Sequence, residues 1–491
     1  MRTVREWWRD EEQPVTLAVA AIVLVGALGR LALLNGPMRH DEAASYLQVI
    51  SQPWASVIAG YQLPLNHLLY TLAAKLSGAL GGDAPWALRL PAFAAGVAVL
   101  PLTYALGSAR YDRTAAMFGT ALAAAATPLV LYSVNGRGYI FVVVAYLGLL
   151  LVGDRILRDG PIAGRWVAFA FIAAAGLVTM PLMLYPLGAA VTWIALSALA
   201  SRQPRPWRVL AGLAGAVAAA GVIAVLAYAP ILRAHGLDTL VTNPAVAPVP
   251  WPEFFAQLLP SLARAVGSWA EPYPLAGAIV LGVVAVVGVA RDGRHRRGGV
   301  SILLAAYVWA AVLMCVQHHM PPGRAWLWVV PPLALAAGGA LASLGRHRRA
   351  ARLVTWLPGI ATALAAACVT WGSLSGAVGR SMDTGVFAGA ADIADLLATQ
   401  VQPGDRVEVS GPSGAPLRYY LLRAGADTAM LAAPDSGTLR EILVLNARYG
   451  QTVPWAIAGG LIDTARFGPI APATHAIDGN VYIAERRMNR P

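Results

Sequence analysis

The chain has 491 residues, 57% of them apolar and only 13% charged, with 37 Lys and Arg against 25 Asp and Glu and a formal net charge of +12. A water-soluble protein of this length needs far more charge on its surface, so the composition excludes a soluble globular chain and makes lipid the main solvent. The positive charge would suit nucleic acid only alongside a basic patch with stacking or groove-reading motifs, and the sequence shows no such pattern.

From the N-terminus, Arg2, Arg5 and Arg9 precede a long apolar stretch without a small-residue cleavage site, which predicts an uncleaved first helix. Apolar runs near the ~20 residues needed to cross a hydrocarbon core predict eleven spans, at 14–34, 88–107, 114–132, 139–153, 166–181, 183–200, 209–232, 274–290, 300–316, 325–344 and 353–374. The arginines cluster between them: Arg110 and Arg113; Arg155, Arg158 and Arg165; Arg202, Arg205 and Arg208; Arg291, Arg294, Arg296 and Arg297; Arg346, Arg348, Arg349 and Arg352. With a cytoplasmic N-terminus each cluster follows an even number of crossings, as the positive-inside rule requires. Segment 63–80 would break that parity if it crossed. It is short and carries Asn66, His67, Tyr70 and Lys75, so it is read as a helix lying at the interface.

This leaves three external features: 35–87, 233–273 and everything after about 375. The middle one holds Trp251, Phe254, Phe255, Trp269 and Tyr273 and reads as a cover hugging the membrane surface. In the tail the apolar runs stop. Helical patterns at 388–399 and 415–423 and extended ones at 406–410, 442–445 and 481–485 predict a compact α/β module. Gly411, Pro412 and Gly414 mark a turn, and no complete dinucleotide or Walker fingerprint follows. The expected architecture is a multi-pass plasma-membrane protein, with a polytopic α-helical membrane domain over 1–374 and a small extracytoplasmic α/β domain over 375–491. Cys315 and Cys368 lie in apolar spans, more than fifty residues apart, and read as packing residues.

Directly after the first span comes Arg39-His40-Asp41-Glu42-Ala43-Ala44-Ser45-Tyr46. A carboxylate at the hydrocarbon boundary is partly desolvated, which raises its basicity and suits a group that takes a proton from a hydroxyl. One acid would be the base while its neighbour orients it, binds a metal or holds the acceptor. The competing reading is that both acids merely favour the start of a helix, where negative charge is stabilising.

Further along stand Leu63-Pro64-Leu65-Asn66-His67-Leu68-Leu69-Tyr70, Ala87-Leu88-Arg89-Leu90-Pro91 and Tyr132-Ser133-Val134-Asn135-Gly136-Arg137-Gly138-Tyr139. With the acidic motif, this series resembles the superfamily C (GT-C) glycosyltransferases, in particular the family 39 type that includes protein O-mannosyltransferases and lipid A aminoarabinose transferases. The resemblance covers the first 150 residues or so, and the later helices only in pattern. It implies an acidic first external loop bordered by amphipathic helices, and a polyprenyl-phosphate sugar as donor. It places Asp41 at the catalytic acid position, Glu42 as its partner, and Leu63-Pro64 with the following helix beside the donor. Gln62 and Leu63 stand where the aminoarabinose transferases carry a Lys next to the Pro, so neither that donor nor that phosphate contact carries over.

A phosphate leaving group needs charge stabilisation where the dielectric is low, and arginine supplies it bidentately. Arg137, at the external mouth between the third and fourth spans, is the first candidate; snorkelling to headgroups is its alternative role. Arg324, in His318-His319-Met320-Pro321-Pro322-Gly323-Arg324, is the second. The paired histidines read as polar loop contacts, since adjacent residues rarely converge on one ion. Asn66 and His67 are candidates for hydrogen bonding to donor or acceptor, and His40 and Tyr139, within the same motifs, complete the substrate-binding set.

The expectation is an integral membrane glycosyltransferase acting by inverting single displacement. Its partners would be a polyprenyl-phosphate sugar, an extracytoplasmic acceptor (glycan, lipid or protein) and membrane lipids, with no nucleic acid. No cofactor is assigned, and a divalent cation is left open. Ala-rich, Arg-over-Lys usage suggests decaprenyl-phosphate mannose or arabinose as the donor. The alternative is a transporter or flippase, which should show paired broken helices and ionisable groups near the bilayer midplane.

Overall fold

A computed structural model describes residues 13–60, 65–201, 205–237, 247–270, 275–292, 300–344, 356–432 and 437–487. Gln62, Leu63 and Pro64, the arginines ahead of the first span, and those within 293–299 and 345–355 lie outside the described residues.

The protein is mostly helical, because a chain in lipid must satisfy its backbone hydrogen bonds internally. Helices occupy every predicted span. Seven are long and apolar enough to cross a bilayer: Gln13–Leu33, Pro85–Arg110, Tyr139–Asp159, Pro181–Ala200, Pro206–His235, Gly323–Ser343 and Leu357–Leu374. An eighth is broken, with Arg113–Ala125 and Thr127–Ser133 meeting at 61°. Ala163–Thr179 and Ile302–Gln317 are shorter, at 17 and 16 residues, and Leu275–Asp292 completes the set. The break has a sequence cause. Pro128 has no N–H to give to the carbonyl four residues back, that of Ala124.

The chain divides into two compact units. The first comprises Met1–Leu34, Trp54–Ser77 and Arg89–Val378, and the second Asn35–Pro53, Gly78–Leu88 and Gly379–Pro491. In the first unit, Gln13–Leu33 buries Ile22, Gly26 and Arg30 while Leu17, Leu24, Leu28 and Leu31 face outward, as expected where the surroundings are acyl chains. Small residues let backbones approach: a Cβ on Gly119 would lie 2.9 Å from the Cα of Leu335, so Arg113–Ala125 packs closely on Val330–Leu344.

Leu68–Gly81 is a 14-residue helix, about 21 Å long, short of a ~30 Å hydrocarbon core. Its Leu68 packs on Tyr228 and Ile231. Trp251–Ala270 has three faces. Phe254 and Ala265 are buried; Trp251, Phe255, Leu259, Leu262 and Val266 form an exposed apolar stripe; Glu253 and Arg264 lie on the opposite side.

The second unit contains a four-stranded sheet in the order β1-β2-β4-β3, with β1 Asp405–Val409, β2 Arg440–Asn446, β3 Ala471–Ala476 and β4 Gly479–Glu485. β1 and β2 are parallel, and the remaining pairs antiparallel. Helices Ala390–Gln400 and Gly414–Arg423 bury Ile393, Leu397, Leu417 and Leu421 against Val407, Ile442 and Val444. The predicted helices and strands of the tail are all present. β3 is an addition, since Ala-Pro-Ala-Thr-His-Ala has little apolar alternation and, with Pro472, suits only an edge.

β2 also carries Glu441, 2% exposed, whose Oε2 has no hydrogen-bond partner among the described residues. Burial, then Glu408 and Asp463, push its pKa up from 4.5 to about 7, against the opposing pull of Arg466. The folded state therefore binds this proton more tightly than the unfolded chain does. That stabilisation is complete below pH 4.5 and is lost as pH rises through about 7. Hydrogen exchange at the β2 amides, corrected for intrinsic rates, is expected to speed up on the order of tenfold between pH 5 and pH 8. Glu441→Gln should remove the pH dependence, and a wild-type profile unchanged over that range would refute it.

Candidate functional site

The candidate residues fall into two groups, one in each unit.

In the second unit, His40–Ser45 forms a short helix that continues through one π-helical turn, Tyr46–Ile50. Its entry is held by the chain after Gly379. Arg39 donates through Nη1 to the carbonyls of Ser381 and Asp383, both at 2.8 Å. The His40 and Asp41 amides donate to Gly385 and Thr384 carbonyls at 2.9 and 3.1 Å. His40 Nδ1 donates to the Pro412 carbonyl at 2.8 Å, so its proton sits on that nitrogen. Gly385 is required twice. Its φ is +73°, and a Cβ there would lie 2.6 Å from that of His40.

This packing separates the two acids. Glu42 is buried, and its Oε1 accepts the Arg39 backbone N–H at 2.8 Å, closing the first helical turn. Asp41 is half-buried, and among the described residues its carboxylate has no hydrogen-bond or ion-pair partner. Glu42 is thus committed to the fold, and Asp41 is available to a ligand. Neither Arg39 nor Gly385 was singled out from sequence; only the contacts with 381–385 reveal them.

In the first unit, four of the predicted residues meet. Arg137 is 3% exposed and donates through Nη1 to the Leu65 carbonyl at 2.9 Å, while its Nη2 lies 3.0 Å from His67 Nε2. The Gly138 amide donates to His67 Nδ1 at 2.9 Å. The His67 ring stands edge-on to Tyr139 at 5.2 Å, and Arg324 Nε donates to the Tyr139 hydroxyl at 2.9 Å. Tyr132 backs the group, 4.9 Å from Tyr139.

Burial, then Arg137 and Arg324, hold His67 well below its usual pKa, so the ring is neutral. A neutral imidazole has one lone pair. N–H donors face both of its nitrogens, so one N–H opposes another whichever tautomer forms. Two guanidinium groups around a phenol and a neutral imidazole suit a phosphate.

Asn66 has a different place. Its Nδ2 donates to the Val57 and Gly60 carbonyls at 3.1 and 2.9 Å, tying its own loop together. His318 packs on Trp251 at 4.0 Å, and the His319 ring contacts the Ala247 carbonyl. Among the described residues no group of three or more His, Cys, Asp or Glu is arranged to hold a metal ion.

The sequence matches no family model and no curated protein. The structure does resemble solved ones. ArnT from Cupriavidus metallidurans in the apo state matches with a TM-score of 0.59 at 15% identity, over 98% of each chain. ArnT from the same organism bound to undecaprenyl phosphate matches with a TM-score of 0.58 at 16% identity, over 96% of this chain and 98% of that one. At these identities the likeness is one of fold, an ArnT-like membrane fold.

Proposed function

We propose that this membrane protein of GT-C fold is a glycosyltransferase moving a sugar from a polyprenyl-phosphate carrier to an acceptor hydroxyl outside the cytoplasm. The observation that carries the reading is Asp41: a carboxylate fixed through its backbone directly after the first span, with no partner of its own among the described residues. The solved ArnT complex with undecaprenyl phosphate supports the carrier class.

In this reaction Asp41 takes the proton of the acceptor hydroxyl, whose oxygen attacks the anomeric carbon. The bond from that carbon to the phosphate oxygen breaks, polyprenyl phosphate leaves, and the configuration inverts. Arg137 and Arg324 balance the phosphate charge, Arg137 held by the Leu65 carbonyl and Arg324 by the Tyr139 hydroxyl. The assay is transfer from synthetic polyprenyl-phosphate mannose or arabinose by the purified protein, repeated with chelator to test for a divalent cation. Transfer from a loaded carrier is expected. No transfer from either carrier, with no polyprenyl phosphate copurifying, would overturn the reading.

A transporter shares one feature, the break at Pro128. Transporters of that kind pair two such breaks, and among the described residues one bent helix pair occurs.

The orientation we propose puts the N-terminus in the cytoplasm and the tail outside. The arginine clusters carry this orientation by the positive-inside rule, and contacts between span ends that the crossing count puts on one side, Arg110 with Asp154 and Tyr185 with Gln317, support the count itself. In a chain lacking Cys315 and Cys368, Ser51→Cys and Pro248→Cys should react with an impermeant thiol reagent on intact cells. Pro161→Cys and Arg205→Cys should be protected, and the reverse pattern would invert the topology.

A further inference from the structure

Arg30 is fully buried in the first span, and the proposed reaction does not use it. Its Nη1 donates to the Ala124 carbonyl at 3.1 Å and to the Gly26 carbonyl at 3.0 Å, and its Nε donates to Ser133 Oγ at 3.0 Å. Among the described residues no carboxylate pairs with it, and its Nη2 has no partner. A buried guanidinium without a counter-ion is costly in a membrane protein, and a Met or Leu would fill the same space without that cost. Packing alone does not account for it.

The partners do. Ala124 carries the carbonyl that Pro128 leaves without a donor, on one side of the 61° break, and Ser133 ends the helix on the other side. One planar guanidinium therefore spans the break and sets the angle between the two halves. Ser133 also donates to the Leu129 carbonyl, and Gly96 leaves room for its side chain, where a Cβ would collide with Ser133 Oγ. The next residues are Val134, Asn135, Gly136 and Arg137, and the far end of that loop is anchored by the Gly138 amide on His67.

We infer that Arg30 is a positioning residue: it clamps the proline break so that the 134–138 loop presents the Arg137 guanidinium to the carrier phosphate. The inference rests on the proposed role of Arg137, but its structural part can be measured without any transfer.

The experiment compares wild type, Arg30→Met, Ser133→Ala and the double variant Arg30→Met with Pro128→Ala. Each is read by hydrogen exchange over 134–138, by thermal melting and by affinity for unloaded polyprenyl phosphate. Arg30→Met should raise exchange in 134–138 at least tenfold and weaken polyprenyl-phosphate binding about tenfold, with exchange in Ala163–Thr179 unchanged. Pro128→Ala supplies an N–H for the Ala124 carbonyl, so the double variant should regain melting temperature but not loop protection or affinity. Recovery of all three would show that Arg30 only stabilises, and would overturn the inference. So would unchanged exchange in Arg30→Met. If Arg30→Met does not fold, Ser133→Ala, which removes one end of the clamp, must raise loop exchange for the inference to stand. A wild type that transfers no sugar, with Arg30→Met still raising exchange in 134–138 and weakening polyprenyl-phosphate binding, would sink the proposed function and leave the clamp intact.

Discussion

Asp41→Asn is expected to lower the rate of sugar transfer by about 10²–10⁴, the usual worth of a general base, with little change in folding or in polyprenyl-phosphate affinity. Stability should hold because the Asp41 carboxylate makes no hydrogen bond among the described residues, and the backbone bond from its amide to Thr384 is unaffected. Glu42 behaves oppositely. Its side-chain oxygen accepts the Arg39 N–H, which the amide oxygen of Gln can also accept, so Glu42→Gln should be mild. Glu42→Ala should cost about 1 kcal/mol of stability, as lost helix caps do. The measurements are turnover with a loaded carrier and melting temperature of the purified variants. Near-normal turnover by Asp41→Asn would remove it as the base and leave only its position at a helix start.

Arg137→Ala should weaken binding of the loaded carrier and slow turnover together, by about 10²-fold in kcat/KM, because the phosphate is charged in both the ground and transition states. Arg137→Lys should recover little. A single ammonium cannot reach the Leu65 carbonyl and still present a second edge to a phosphate, whereas the planar guanidinium can. Arg324→Ala should be milder, since Arg324 is half-buried and is held through the Tyr139 hydroxyl. Unchanged carrier affinity in Arg137→Ala would move the phosphate elsewhere.

Much of this protein could be read from its sequence, because some of its properties are local. Membrane spans depend on the hydropathy of about 20 consecutive residues, so helices stand where the apolar runs predicted them. The tail strands with clear alternation were equally legible; the edge strand β3, with little apolar character and an internal proline, was not. The adjacent acids after the first span, and Arg137 beside Tyr139, were visible as chemistry in an informative position.

Only the tertiary structure decided what those residues are free to do. By residue chemistry alone Asp41 and Glu42 are alike, and only the family resemblance ranks them; in the structure the Arg39 amide takes Glu42 and leaves Asp41, on a loop secured by residues more than 340 positions away. Asn66 and His67 are neighbours in the chain, yet one ties its own loop and the other meets Arg137, 70 residues on. Arg30 read only as part of an apolar span until Ala124 and Ser133 came to it from about a hundred residues away. Hydropathy and helix periodicity are carried by neighbours along the chain, whereas the partner of a buried polar group is supplied by whatever segment the fold packs against it.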